Sequence, residues 1–181
     1  MGADRGIHIK TDESFLDPTL TSMAIKRAIE QDGNPDLIFS GRQSIDSEGM
    51  QTHFRLAAAF GMPVVTDVVD LVIKDGMAIV EREIGGGSRE VIEMRIPCVI
   101  GATKGLNEPR YAKLPDVMKA KRKEIKQIEI GSLGVDTSSS ATKLVELKLV
   151  PERGHATMLQ GGTREMVRKL VRFLREKDKV L

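Results

Sequence analysis

A polar segment from Gly41 to Thr52 contains the residue types that could hold a phosphate-bearing ligand. It follows a compact apolar run directly, and a helix is predicted to begin within it, near Gly49. Backbone N–H groups at a helix start bind anions, and hydroxyl and amide side chains add further donors. The candidate ligand-binding residues are Gly41, Ser44, Asp46, Ser47, Gln51 and Thr52. A capped turn without any ligand uses the same residue types, so the pattern alone leaves both interpretations open.

The other reactive side chains form no catalytic or metal-binding pattern. His8, His53 and His155 are scattered, with no carboxylate or cysteine at ligand spacing. No nucleophile, base and acid stand together, and no Gly-x-Gly-x-x-Gly follows a predicted strand. Cys98 lies in an apolar stretch typical of a core, and a single cysteine builds no disulfide framework. We therefore expect no catalytic residues, no metal and a reducing compartment, by default the cytoplasm.

The composition excludes two further classes of function. The chain has 181 residues, and 28 Lys and Arg against 26 Asp and Glu give a net charge of +2. This mixed surface, with five Phe, one Tyr and no Trp, does not suit a nucleic-acid partner. Apolar runs stay well below the roughly 20 residues of a membrane helix, so no membrane insertion is expected.

The elements that would position the polar segment alternate between strand and helix. Strands are predicted at Gly6–Lys10 and 36–40, and Asp17-Pro18 is a start signal for the helix between them. The predicted apolar faces are Leu20, Ala24 and Ala28 in the first helix, and Met50, Phe54, Ala57 and Ala58 in the second. This order predicts an α/β fold with a Rossmann-like open, mostly parallel sheet and helices on both faces.

The second half of the chain adds an antiparallel insertion and an extension. From about 66 to 96 the hydrophobic period is two residues, and Asp75-Gly76 marks a hairpin turn. We predict an inserted β-ribbon there, followed by a buried strand that begins at Cys98. Farther on, alternation predicts a strand from Lys143 to Val150, and helical spacing predicts a helix from Thr163 to Lys177.

Several motifs occur in the order found in one protein family. They are Gly41-Arg42-Gln43-Ser44-Ile45-Asp46 followed by Gln51; Arg82-Glu83-Ile84-Gly85-Gly86-Gly87 followed by Glu90-Val91; Leu106-Asn107-Glu108-Pro109-Arg110-Tyr111 followed by Leu114-Pro115 and Met118-Lys119-Ala120-Lys121-Arg122-Lys123; and Leu133-Gly134-Val135-Asp136. Together they resemble the β subunits of electron transfer flavoproteins. The resemblance spans nearly all of the chain, and ordered motifs at compatible spacing are more specific than any one of them.

The resemblance implies a carrier of electrons between dehydrogenases and a downstream acceptor, working as one subunit of a heterodimer. It implies FAD shared with an α subunit, and AMP or a second FAD held by the candidate residues between Gly41 and Thr52. The implied partners are the α subunit, flavin dehydrogenases such as acyl-CoA dehydrogenases, and a quinone oxidoreductase or ferredoxin downstream. A bacterial or archaeal chain would be cytoplasmic, and a eukaryotic one would lie in the mitochondrial matrix.

The resemblance also implies a docking role for the basic segment near Leu114. In the family, a leucine at this position enters a hydrophobic pocket on partner dehydrogenases, while nearby cations steer acidic partners. The implied docking residues are Leu114, Pro115, Met118, Lys119 and Arg122. Judged from the residues alone, Leu114 could equally anchor its own loop, and the cations could simply solvate a helix.

Two domains are expected. A nucleotide-binding α/β domain would cover 1–130, with its recognition loop at about 106–123, and an extension at 131–181 would place its strand and helix against the partner subunit. Family members usually begin with a further βαβ unit, so exposed sheet edges and an incomplete adenine pocket are expected. The alternative is a standalone adenine-nucleotide-binding α/β protein, either a sensor or an ATP-hydrolysing enzyme, although no glycine-rich phosphate loop is evident.

Overall fold

The computed structural model describes residues 2–13, 15–45, 47–152, 154, 156–177 and 179–180. The strands are β1 (Gly6–Lys10), β2 (Leu37–Gly41), β3 (Val64–Lys74), β4 (Met77–Gly85), β5 (Ser88–Arg95), β6 (Cys98–Ala102) and β7 (Ile125–Glu129). The helices are α1 (Pro18–Glu30), α2 (Thr52–Phe60), α3 (Leu114–Ala120) and α4 (Thr163–Arg172), and α4 continues as a π-helical turn at Phe173–Lys177. Short 3-10 helices cover Ile130–Leu133 and Thr137–Ser139.

The described strands form two open sheets. The larger sheet has the order β2-β6-β3-β4-β5, in which β2, β6 and β3 run parallel while β4 and β5 extend it as an antiparallel ribbon. The smaller sheet pairs β1 with β7 in parallel. The predicted α/β class is confirmed, and the inserted ribbon forms from β3, β4 and β5, with its first turn at Asp75-Gly76.

The sheet is divided between β1 and β2. The helix α1 connects these strands, yet among the described residues β1 pairs only with β7 and β2 pairs only with β6. Each strand therefore leaves one edge of N–H and C=O groups without a neighbouring strand. A cavity of about 380 Å³ lies between them, lined by Ile7 of β1, by Leu37 and Phe39 of β2, and by Ile29 and Asp32 at the end of α1.

The larger sheet has an aliphatic core, as the scarcity of aromatic residues requires. Its buried cluster consists of Val65, Val68, Ala78, Val80, Met94, Cys98 and Ile100. The strand β6, which lies between β2 and β3, is the most deeply buried, since Cys98, Val99 and Ile100 are fully covered. Continuous apolar residues are expected of a parallel strand that is covered on both faces.

The helix α1 forms as predicted and packs on the smaller sheet. Asp17 caps it by accepting hydrogen bonds from the backbone N–H groups of Thr19 and Leu20, and Pro18 begins it. The predicted apolar face is buried and packs with one residue of β7 and with two residues that follow this strand. The cluster consists of Leu20, Ala24, Ala28, Ile128, Leu133 and Val135.

The predicted apolar face of α2 is wrong by about one residue. The helix begins at Thr52. The buried residues of α2 are His53, Leu56 and Ala57, whereas Phe54 is 44% exposed. The predicted face counted from Met50, but Met50 precedes the helix and has a φ of 51°. A residue in the left-handed region breaks the helical repeat, so it cannot set the phase of the residues after it.

The predicted strand from Lys143 to Val150 is not formed. These residues lie outside regular structure, and Val145 and Leu149 are almost fully exposed. An alternating pattern becomes a strand only where another strand offers hydrogen bonds, and no described strand pairs with it. The chain divides into two compact units, Met1–Leu144 and Val145–Leu181. Residues 131–144 lie in the first unit because Leu133 and Val135 complete the cluster around α1.

Candidate functional site

A cavity of about 550 Å³ lies where the carboxyl end of β2 meets the amino end of α2. This volume is within the usual range of small-molecule sites, and the edge of an open α/β sheet is their usual place. Its polar wall includes five of the six predicted ligand-binding residues, Gly41, Ser44, Ser47, Gln51 and Thr52. The sixth, Asp46, lies outside the described residues.

The helix α1 holds α2 in place at both ends. Ser22 is buried in α1, where its hydroxyl donates to the carbonyl oxygen of Pro18 at 2.6 Å and also lies 3.3 Å from the carbonyl oxygen of Thr52, at the start of α2. Lys26, one turn farther on, donates to the carbonyl oxygen of Ala59 at 2.7 Å, near the end of α2. The amino end of α2 is thus fixed relative to Ile25 and Ile29 of α1, which form part of the apolar wall of the cavity.

The amino end of α2 has hydrogen-bond donors to offer. Gln51 precedes the helix without a capping side-chain hydrogen bond, and the first turn contains no acidic residue. The first helical bond runs from the N–H of Arg55 to the carbonyl of Gln51, so the N–H groups of residues 52–54 have no acceptor within the helix. Such a helix end attracts an anion.

The loop side chains are arranged as further donors. The hydroxyl oxygens of Ser44 and Ser47 lie 2.8 Å apart, which brings both to one side of the loop. The side-chain oxygen of Gln51 accepts two hydrogen bonds from Arg55, at 3.0 and 2.8 Å. The NH₂ group of Gln51 is therefore the part of that side chain that can serve a ligand, and an NH₂ group only donates.

Two residues that line the cavity, Ser40 and His53, were not predicted from the sequence to bind a ligand. His53 is 4% exposed, and neither its Nε2 atom nor the hydroxyl oxygen of Ser40 has a hydrogen-bond partner among the described residues. Burial lowers the pKa of His53 below its usual value, while the Asp67 carboxylate opposes the shift. Burial therefore favours the neutral form of the imidazole. The sequence did contain a signal, because His53 directly follows the motif residues Gln51 and Thr52 at a predicted helix start.

A strained acidic residue lies close to the cavity on β3. Asp67 has a φ of 60°, at a bulge where the pairing of β3 with β6 shifts between Val65 and Val68. Its carboxylate lies 3.5 Å from the guanidinium of Arg42, which lines the cavity, and it accepts from the hydroxyl of Thr66 at 3.1 Å. Bulges with left-handed residues recur beside functional sites, because they redirect side chains.

The predicted docking residues lie together on and just after α3. Leu114 is 73% exposed and begins the helix, and Met118 is 49% exposed one turn later. Pro115, Lys119 and Arg122 are also exposed. The described residues of α3 contribute nothing to the two core clusters, so Leu114 does not anchor its loop in the core.

The described residues contain neither a metal-binding group nor a membrane-spanning helix. No group of three or more His, Cys, Asp or Glu side chains there could hold a metal ion. The helices found in that part of the chain are too short or too polar to cross a bilayer.

The family of the chain follows from comparison with known proteins. Residues 1–133 match the model of the electron transfer flavoprotein domain. The chain belongs to this family. The match covers the cavity and α3 of this electron transfer flavoprotein domain, and it agrees with the resemblance that the sequence motifs indicated.

Relatives from distant organisms support the assignment to the electron transfer flavoprotein family. The mitochondrial electron transfer flavoprotein subunit beta of Arabidopsis thaliana is 40% identical over 172 residues, which are 94% of this chain and 66% of the relative. The subunit beta of Mus musculus is 35% identical over 173 residues, with the same shares of 94% and 66%. That of Bacillus subtilis (strain 168) is 33% identical over 184 residues, covering 100% of this chain and 71% of the relative. The chain thus spans slightly less than two thirds of the plant and mouse proteins.

Proposed function

We propose that the chain acts as the β subunit of a heterodimeric electron transfer flavoprotein and carries electrons between dehydrogenases and a downstream acceptor. The observation that carries this proposal is the cavity between β2 and α2, whose lining includes five of the residues predicted to bind a ligand, in a chain of this family. The relatives are named electron transfer flavoprotein subunit beta. The role proposed here is that of a carrier subunit without catalytic residues of its own.

The cavity would hold the adenosine phosphate portion of AMP or of a second FAD. The phosphate would lie at the amino end of α2, where backbone N–H groups and the Thr52 hydroxyl would donate hydrogen bonds, next to the paired hydroxyls of Ser44 and Ser47. Ile25 and Ile29 offer an apolar surface for the adenine ring. A separate FAD would be shared with the α subunit, and flavin supplies the redox chemistry when bound.

The exposed face of α3 would dock onto partner flavoenzymes. Leu114 and Met118 give it an apolar centre, and Lys119 and Arg122 would speed the encounter with acidic partners through long-range attraction. Flavin dehydrogenases such as acyl-CoA dehydrogenases are the proposed donors, and a quinone oxidoreductase or ferredoxin the proposed acceptor. The proposed compartment is the cytoplasm of a bacterium or archaeon, or the mitochondrial matrix.

The segment that follows the first unit would contact the α subunit. Val145, Leu147 and Leu149 alternate with Glu146 and Lys148, and all three apolar side chains are at least 84% exposed. This is the pattern of a strand with one apolar face. Pairing with a strand of the α subunit would supply the missing hydrogen bonds and cover that face.

Co-expression with an electron transfer flavoprotein α subunit tests the proposed role. We expect a yellow heterodimer, with FAD and an adenine nucleotide identified by mass analysis of the released ligands. In this complex, Leu114→Ala should slow electron transfer from a dehydrogenase while bound flavin stays unchanged, because the substitution removes only an exposed apolar contact.

The control variant is Ile125→Ala, which removes another exposed apolar side chain outside α3. It should transfer electrons at the rate of the unsubstituted complex. Failure of the chain to associate with the α subunit would contradict the carrier role. Equal rates for Leu114→Ala and the unsubstituted complex would contradict only the docking role of α3.

A further inference from the structure

We infer that Ser40 and His53 donate hydrogen bonds to the phosphate of the nucleotide in the cavity between β2 and α2. This inference rests on the proposed nucleotide site and adds two ligand-contacting residues that lie outside the sequence motif. Ser40 is the penultimate residue of β2, and His53 is the second residue of α2. The two elements meet at the cavity, and both residues line it.

The two side chains have hydrogen-bonding capacity that the fold does not use. The Ser40 hydroxyl oxygen and His53 Nε2 are both covered, and neither has a partner among the described residues. A buried polar atom without a partner destabilises a protein by about 1–3 kcal/mol. Nearly all buried polar atoms in proteins are paired, so a ligand oxygen brought into the cavity would supply the partner that both atoms need.

The lining of the cavity selects an anionic partner for these atoms. Among the described residues, the lining contains no Asp or Glu, and its one positive charge, on Arg42, lies 3.5 Å from the carboxylate of Asp67, which does not line the cavity. The N–H groups at the start of α2, the Thr52 hydroxyl and the Gln51 NH₂ group can all donate. A phosphate accepts hydrogen bonds from every one of these groups, whereas an adenine ring also needs acceptors for its amino group.

A small side-chain rotation would complete the contact. In the described conformation, both atoms are covered by the protein, so a ligand oxygen reaches them only after the side chains turn toward the cavity. For His53 this is a rotation of the imidazole ring about its Cβ–Cγ bond, and for Ser40 it is a change of rotamer. A phosphate oxygen would then favour the His53 tautomer that carries its proton on Nε2.

Calorimetric titration of the full 181-residue chain with AMP and with adenosine tests the inference. Ser40→Ala and His53→Leu should each weaken AMP binding by roughly ten-fold or more, since each removes a hydrogen bond to a charged group. Adenosine lacks the phosphate, so its affinity should not change. His53→Gln retains an N–H donor at a similar reach and should recover part of the AMP affinity.

Urea unfolding of the same variants separates ligand contact from a structural role. Removal of an unpaired buried polar atom should leave the free energy of unfolding unchanged or raise it. The matched control is His8→Leu, because His8 is exposed on β1 and does not line the cavity. This control should bind AMP and adenosine as the unsubstituted chain does.

The possible results lead to different conclusions. Unchanged AMP affinity in Ser40→Ala and His53→Leu would overturn the inference and leave the proposed nucleotide site intact. Equal losses for adenosine and AMP would also overturn it, because the contact would then not be with phosphate. If neither the unsubstituted chain nor its complex with the α subunit binds either compound, the nucleotide site itself is wrong and the inference fails with it.

Discussion

Asp17 joins two distant parts of the chain through its two carboxylate oxygens. One oxygen caps α1 by accepting from the N–H groups of Thr19 and Leu20, at 2.7 and 2.9 Å. The other accepts from the N–H of Ala141 at 2.8 Å and from the hydroxyl of Ser140 at 3.1 Å. Asp17 is 2% exposed, so loss of the carboxylate would leave the N–H group of the buried Leu20 without an acceptor, together with the N–H groups of Thr19 and Ala141.

We expect Asp17→Ala to lower the free energy of unfolding by at least about 2 kcal/mol, from the lost cap and the unpaired donors. Urea unfolding at pH 7 would measure this. Hydrogen bonds, first from the Leu20 N–H, lower the pKa of Asp17. The stabilisation is therefore complete above the usual aspartate pKa of about 3.9 and is lost as the pH falls through the lower pKa of the folded state. The difference between Asp17→Ala and the unsubstituted chain should shrink in acid.

Asp136 provides a matched control at the same scale. It also caps a helix, the short 3-10 helix Thr137–Ser139, and hydrogen bonds from Ser138 lower its pKa. Asp136 is exposed, so water can replace it as the acceptor when it is removed. Asp136→Ala should therefore destabilise the chain less than Asp17→Ala, and equal losses would contradict the role given to Asp17.

The contact between β3 and β6 positions the elements that surround the cavity. Gly101 of β6 pairs with Ser40 of β2 on one side and contacts Thr66 of β3 on the other. A Cβ atom at Gly101 would lie 3.1 Å from the Thr66 side chain and 3.2 Å from its backbone. The absence of a side chain at Gly101 thus allows β3 to approach closely just before the bulge at Asp67.

We expect Gly101→Ala to destabilise the chain by about 1–3 kcal/mol, because the added methyl group has no space. Thermal and urea unfolding would measure the loss, and Thr66→Ala in the same chain should relieve part of it. Gly131→Ala is the control, since no atom lies within 4 Å of its Cβ position. If both glycine substitutions have the same effect, close packing of β3 on β6 is not the cause.

At the scale of the whole molecule, the first unit contains the residues of both core clusters. One cluster belongs to the larger sheet, and the other includes residues as far along the sequence as Val135. The first unit ends at Leu144, whereas the boundary predicted from the sequence lies after residue 130. No described residue of α4 is buried, so the second unit adds no core cluster of its own.

Two truncated chains distinguish these boundaries. A chain of residues 1–144 keeps both clusters and the Asp17 contacts, so it should unfold cooperatively at a temperature close to that of the full chain. A chain of residues 1–130 loses Leu133 and Val135, and each buried aliphatic side chain contributes about 1.5–3 kcal/mol. It should be less stable by several kcal/mol in urea unfolding. Equal stability of the two truncated chains would favour the boundary after residue 130.

Features that depend on neighbouring residues were determined by the sequence itself. The cap and apolar face of α1 follow from Asp17, Pro18 and a spacing of four, and the ribbon follows from a period of two with an Asp-Gly turn. The motif around Gly41 and Gln51 located the cavity, because the carboxyl end of a strand and the start of the next helix meet at one edge of the sheet. In each case the residues that indicate the structure are close in sequence to the structure that they indicate.

Only the tertiary structure decided which side chains are buried around that cavity and where the sheet is divided. His53 and Ser40 became ligand-binding candidates because the fold covers their polar atoms without giving them partners, and Asp67 lies near the cavity because β3 bulges beside Arg42. The phase of α2 depended on the left-handed Met50, and the segment after Lys143 found no strand to pair with. Burial and strand pairing join residues far apart in the chain, so no local pattern contains them.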